Sequence, residues 1–263
     1  MWAFAIAFLG CTSASHRADG ASEPLNTVAN SPSSRASPGT SAVTPASQGA
    51  TQEAASDVTL TPARILSAMA EAYTSCTSYR DSGVSTLKIV DGPIVRKQFK
   101  TAFVRPDRFR FETSQWAPLR KLVFVVWTNG MVVKSYSTAE GWKSHDSLHL
   151  PLAAATGVSG GTAAIVPELL IPADVSGFPL TNMMTNVERL ADADVGTARC
   201  YCLRGRLADF TATIWIDQQT HLLLRMERLM QDDGDEATEV TTYEPEIDIQ
   251  IGDADLEPDT ASK

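Results

Sequence analysis

The segment Ala212–Tyr243, ATIWIDQQTHLLLRMERLMQDDGDEATEVTTY, constrains the fold more than any other part of the chain. Its first run ends in Ile214, Trp215, Ile216 and Asp217, and the polar triplet Gln218, Gln219, Thr220 turns it into Leu222 to Leu229. After Asp232, Asp233 and Gly234 a third run carries Val240, Thr241, Thr242 and Tyr243, β-branched or aromatic residues that suit a pleated surface. Three strands joined by two short turns form an antiparallel meander.

The rest of the folded part extends that sheet. Thr61-Pro62 reads as a helix start, Thr as the cap and Pro at the first position with its φ already helical. Ile65, Leu66, Met69, Ala70 and Tyr73 follow at helical spacing and make one apolar stripe that must cover something. Strands are predicted near 83–91, 96–105, 107–114 and 120–128, with Asn129-Gly130 as a hairpin turn into Met131 to Ser137. Further strands are predicted near 185–194, 197–206, 211–217, 221–230, 237–243 and 246–251. No βαβ alternation appears, so the fold class is mainly antiparallel β with covering α-helices.

Alternation separates the two faces of this sheet. Phe109 and Phe111 share one face and Arg108 and Arg110 the other, the pattern of a sheet buried on one side. Lys121 and Lys134 extend the solvated face. Leu122 to Trp127 is apolar on both faces, so it is either sandwiched by helices or lines a cavity on one side. Between Ser147 and Pro172, Leu148, Leu150, Leu152 and Ala153-Ala154-Ala155, then Ala163 to Leu170, suggest two short helices split by the glycines around Ser159.

The wording W-I-D-x-x-T-x-L-L-x-R-M-E from Trp215 to Glu227, followed by T-x-Y-x-P from Thr241 to Pro245, resembles the last strands of the bacterial LolA-like superfamily of lipoprotein and lipid carriers. Tyr79-Arg80-Asp81-Ser82-Gly83, Phe103 to Arg110 and Thr156 to Gly161 carry the resemblance upstream, so that it spans roughly residues 62 to 257. It implies an incomplete half-barrel, a strongly curved antiparallel sheet whose hollow is covered by helices and holds acyl chains, with residues 147–172 as a lid. It also implies that Cys200, in Cys200-Tyr-x-Leu-x-Gly205, stands where the family carries its usual cysteine and bridges Cys76 at the end of the helix, leaving Cys202 reduced.

A long antiparallel sheet must curl, and curling with apolar residues inside leaves a hollow that one helix cannot fill. The expected lining, for lipid or the acyl chains of lipoproteins, is drawn from Phe109, Phe111, Phe124, Val126, Trp127, Val133, Ile214 and Ile216. The competing picture is a solid core in which Leu152, Ile165, Leu169 and Leu170 fill the hollow.

Before the folded part come two other segments. Met1 to Cys11 is an apolar run ending Gly10-Cys11, which looks like the end of a lipoprotein signal, so Cys11 is the expected site of a lipid anchor to the membrane. Thr12 is not the Asp that favours inner-membrane retention, which points to the outer membrane. Residues 12–60 are dominated by Ser, Ala, Thr, Pro and Gly, with too few large apolar residues to offset the entropy of ordering, and are expected to be a disordered tether. The folded domain then runs over 61–257, with a disordered tail at 258–263.

Catalytic and metal signatures are weak. Gly157-Val158-Ser159-Gly160-Gly161 matches G-x-S-x-G, but that motif works as a nucleophile only between a strand and a helix in a parallel α/β sheet. His145 and His149 have a metal-like i, i+4 spacing if helical, with no third ligand in view and Leu-Pro following. With a formal net charge of −9 and dispersed Lys and Arg, nucleic acid and anionic headgroups are not the expected partners. The expectation is an envelope-located, non-enzymatic binding domain without cofactor, or, alternatively, a periplasmic sensor that holds a protein segment in the same fold.

Overall fold

A computed structural model describes residues 60–171, 184–232 and 235–257. The signal-like segment with Cys11, the 12–59 part of the expected tether and the 258–263 tail lie outside the described residues.

Helix α1 spans Pro62–Ser75, and the Thr61 side chain accepts a hydrogen bond from the Arg64 amide at 3.4 Å, so the cap and the first-position proline act where the sequence put them. Its buried stripe is Ile65, Leu66, Met69 and Tyr73. Six strands follow: β1 Ser78–Ile89, β2 Ile94–Val104, β3 Arg108–Trp116, β4 Lys121–Asn129, β5 Val133–Ser137 and β6 Gly141–His145. Helix α2, His149–Ser159, a 3-10 turn at Thr162–Ala164 and helix α3, Val166–Leu170, form the insertion. The chain then adds β7 Met184–Arg189, β8 Ala193–Val195, β9 Ala198–Leu207, β10 Phe210–Asp217, β11 Leu223–Asp232, β12 Asp235–Tyr243, β13 Glu246–Ile247 and a final helical turn α4, Asp253–Leu256.

The strands form one 13-stranded antiparallel sheet in the order β6-β5-β4-β3-β2-β1-β12-β11-β10-β9-β7, with β13 on β1 and β8 on β9. β1 closes the two meanders onto each other by pairing Gly83 with Tyr243 and Ser85 with Thr241. Among the described residues β6 and β7 do not pair with each other, so the curled sheet stays unclosed.

Three differences from the sequence reading have local causes. β1 begins at Ser78 rather than near 83, because Tyr79 and Asp81 turn inward and are buried on either side of the half-buried Arg80. β6 was not anticipated, since Gly-Trp-Lys-Ser-His is short and polar and is a strand only by pairing along β5. The last strand stops at Ile247 because Asp248 takes a positive φ of 55° and turns its carboxylate back to accept from the Thr77 amide and hydroxyl at 2.7 and 2.9 Å.

The C-terminal turn lies on the convex face. Arg108 pairs with Asp253 at 2.7 Å, and Arg110 Nη1 donates to the Glu257 carbonyl at 2.8 Å. Leu256 is buried there. The basic residues of β3 therefore hold down this helical turn as well as facing water.

Candidate functional site

The register of the strands lays out the concave face row by row. Asp81, Thr101, Phe111, Val126 and Ser135 face each other across β1 to β5, and the next row carries Tyr79, Phe103, Phe109, Thr128 and Val133. On the other half Ser85, Thr241, Met226, Ile214 and Leu203 form one row. Phe109, Phe111, Phe124, Val126, Val133, Ile214 and Ile216 thus share the concave side. Trp127 does not. It pairs with Arg110 on the convex side, because neighbouring residues of a strand point to opposite faces and Val126 already points in.

Helices occupy the hollow. Leu152 and Ala155 of α2, Ile165, and Leu169 and Leu170 of α3 are buried against the sheet together with the α1 stripe. Phe111, Val126, Ile214 and Ile216 are fully covered, each no more than 0% exposed. The hydroxyl of Tyr73 accepts from the Leu223 amide at 3.1 Å, which fixes α1 against β11. Over most of its breadth the hollow is a solid core.

At the end where α2 begins, the filling is incomplete. A cleft of about 420 Å³ opens between Phe103, Phe109, Thr128 and Val133 of the sheet and Leu148, His149 and Ile171 of the insertion. Asn129 shapes its rim: the side-chain carbonyl accepts from the Met131 and Val132 amides, both at 3.0 Å, and Gly130 supplies a φ of 90°. Of the residues expected to line a cavity, Phe109 and Val133 do so. Phe103, Leu148 and Ile171 were missed; alternation from Phe99 and Thr101 already placed Phe103 on the same face, whereas no local pattern marks the other two.

The sheet is an unclosed antiparallel half-barrel with helices packed into its hollow. No family model matches the chain, and no curated protein matches it. Solved structures similar to it include lipoprotein LppX of Mycobacterium tuberculosis, at 13% identity over 72% of this chain and 96% of that one, with a TM-score of 0.42. A LolA superfamily protein from Nitrosomonas europaea gives 10% identity over 76% of this chain and 98% of that one, TM-score 0.32. MucB of Pseudomonas aeruginosa, solved with MucA, gives 12% over 76% and 61%, TM-score 0.43.

Inside the curled sheet two polar groups are buried with the aromatic residues. Tyr79 donates to Asp81 Oδ2 at 2.8 Å, and burial pushes the Asp81 carboxyl up to about 6, the hydrogen bond from Tyr79 opposing it. Arg228 and Glu239 form a buried ion pair; Ser85 donates to Glu239, and Arg228 also donates to the Gly160 carbonyl. Gly160 and Gly161 have φ of 71° and 91°, and a Cβ at Gly161 would meet the Arg228 guanidinium at 2.6 Å. The glycines of the G-x-S-x-G run thus serve this helix end. Ser159 is buried and accepts from the Ala163 amide at 3.0 Å.

The remaining candidates are dispersed. His145 lies on β6 with Nε2 2.8 Å from Ser135 Oγ, while His149 starts α2 and lines the cleft. Cys76, Cys200 and Cys202 are free, buried thiols, so the Cys76–Cys200 bridge implied by the resemblance is not formed in this structure. Cys76 ends α1 on the concave side, whereas Cys200 pairs with Asp217 and alternates with the inward-facing Leu203 register, placing it on the convex side. No helix among the described residues is long and apolar enough to cross a membrane.

Proposed function

We propose that this chain is a non-enzymatic cell-envelope domain that binds an acyl chain, of a lipid or of a lipoprotein, in the cleft between β3–β5 and the start of α2. The carrying observation is that a concave apolar sheet face ends in an open cleft of about 420 Å³ walled by Phe103, Phe109, Val133, Leu148 and Ile171. That volume lies within the range of small-ligand sites, and its walls are mainly apolar, with Asp107, Thr128, Ser147 and His149 as the polar groups at hand. Each methylene moved from water into such a site is worth about 0.8 kcal/mol, so affinity follows chain length. Lipidation at Cys11, a tether over residues 12–60 and anchorage at the outer membrane complete this reading.

The alternative, a periplasmic sensor holding a protein segment, is favoured by one observation. Strand β6 pairs only with β5 among the described residues, leaving an edge that an extended peptide could extend.

A fluorescent fatty-acid analogue tests the first reading. Saturable binding by the delipidated protein, lost in Val133→Arg and kept in Trp127→Ala, supports the cleft. Absence of binding by the well-folded parent sinks it and puts the sensor forward.

A further inference from the structure

The convex face carries a second feature at the end of the sheet opposite the cleft. Hairpins β1–β2 and β3–β4 turn there, at residues 90–93 and 117–120. Their large apolar residues are turned to water: Ile94 is 68% exposed, Trp116 78% and Leu119 97%. A monomer has no reason to hold three such side chains together in solvent, because each forfeits the free energy of burial.

The register sets basic residues among them. Lys88 lies opposite Ile94, and Lys121 opposite Trp116. Arg96 sits one position beyond the Lys97–Gln115 pair, beside Trp116 on the same face. Arg96, Trp116 and Lys121 therefore form a row across three neighbouring strands, at the spacing of about 5 Å that adjacent strands impose. Lys88, Arg96 and Lys121 are exposed, and among the described residues none of them is within ion-pair distance of a carboxylate. The strip has a boundary: the Val90 amide donates to the carbonyl of exposed Glu236 at 3.0 Å, so the start of β12 flanks it on one side and the β3–β4 tip projects from the other.

We propose that this rim is a docking surface for an anionic lipid bilayer, with Trp116 and Leu119 entering the headgroup region and Arg96 and Lys121 meeting lipid phosphates. A tryptophan at a loop tip, an aliphatic neighbour and a collar of unpaired cations are the chemistry of an interfacial contact. The overall charge of −9 does not oppose it, since a bilayer reads the local potential within about 10 Å of its surface rather than the sum over the chain. Dispersal of Lys and Arg along the sequence concealed this cluster; strand pairing creates it. The proposal is independent of what fills the cleft.

The test uses the full chain carrying Cys11→Ser, so that no covalent lipid is present and the N-terminal segment is common to every sample. It is sedimented with vesicles of phosphatidylglycerol and phosphatidylcholine in equal parts, and with phosphatidylcholine alone. Expected are binding to the anionic vesicles that weakens at high salt, and a loss of about tenfold or more in both Trp116→Ser/Leu119→Ser and Arg96→Glu/Lys121→Glu, since each basic residue near an anionic surface contributes about fivefold. Circular dichroism and unchanged binding of the fatty-acid analogue show that the variants are folded and separate this result from the cleft. The proposal is overturned if the parent protein ignores the anionic vesicles, which would leave an acidic protein as the partner of the rim. It is equally overturned if both double variants bind them as well as the parent.

Discussion

Arg105 caps helix α1 from outside it: its Nε donates to the Cys76 carbonyl at 2.6 Å and its Nη2 to the Tyr73 carbonyl at 2.9 Å. The helix has no basic residue in its own last turn, so the negative end of its dipole and two of its free carbonyls are met by a residue of the β2–β3 turn. The same guanidinium lies 5.1 Å from the centre of the Phe103 ring, which walls the cleft. One side chain thus ties the covering helix, the sheet and the candidate site together.

Arg105→Ala is expected to cost about 2 kcal/mol, the scale of two charge-assisted hydrogen bonds lost from partly buried carbonyls. Urea unfolding measures it. Arg105→Lys should recover only part, since a single ammonium cannot reproduce the planar fork.

Gly83 stands where the Phe99 ring crosses β1, and a Cβ there would collide with that ring and with the Thr242 carbonyl. The ring itself is held 5.4 Å from Tyr243 and 6.4 Å from Phe111, so it has no free direction in which to yield. Gly83→Ala is expected to destabilise by about 1–3 kcal/mol through overpacking. A thermal midpoint equal to that of the parent would show that the sheet relaxes around the methyl group.

Stability should fall as pH rises through the range set by Asp81. Burial raises its carboxyl from 3.8 to about 6, so the folded state holds the proton more tightly than the unfolded state. The penalty for ionising it is absent below the ordinary value, grows between the two and is complete above about 6. At about 1.4 kcal/mol per pH unit the full effect is about 3 kcal/mol. Glu168, which burial raises to about 7, acts with the same sign, so the readout is a difference between proteins. Asp81→Asn keeps an acceptor for Tyr79 and should flatten the fall in urea midpoint between acidic and neutral pH.

The thiols should be inert in the native protein. Cys76, Cys200 and Cys202 are 2%, 0% and 4% exposed, and burial raises all three, Cys200 to about 11. In a Cys11→Ser background a thiol reagent should react slowly until guanidinium unfolds the chain, and a reductant should leave the melting temperature unchanged. A Cys76–Cys200 peptide in non-reducing mapping would reverse this.

The antiparallel class, the capped helix α1 with its Ile65, Leu66, Met69 and Tyr73 stripe, and the division of Phe109 and Phe111 from Arg108 and Arg110 are legible in the residue order alone. These are local matters: a cap, a period of 3.6 and a period of 2 are written in neighbouring residues. What lies against each face was fixed instead by long-range packing. It set Ile214 and Ile216 beneath helices rather than in a cavity, and left open the cleft at Phe109 and Val133. It also made a strand of Gly141–His145 and brought Arg96 beside Trp116. Such placements depend on which strands pair and in what register, and on how helices far along the chain fill a curved sheet, so no window of neighbouring residues contains them.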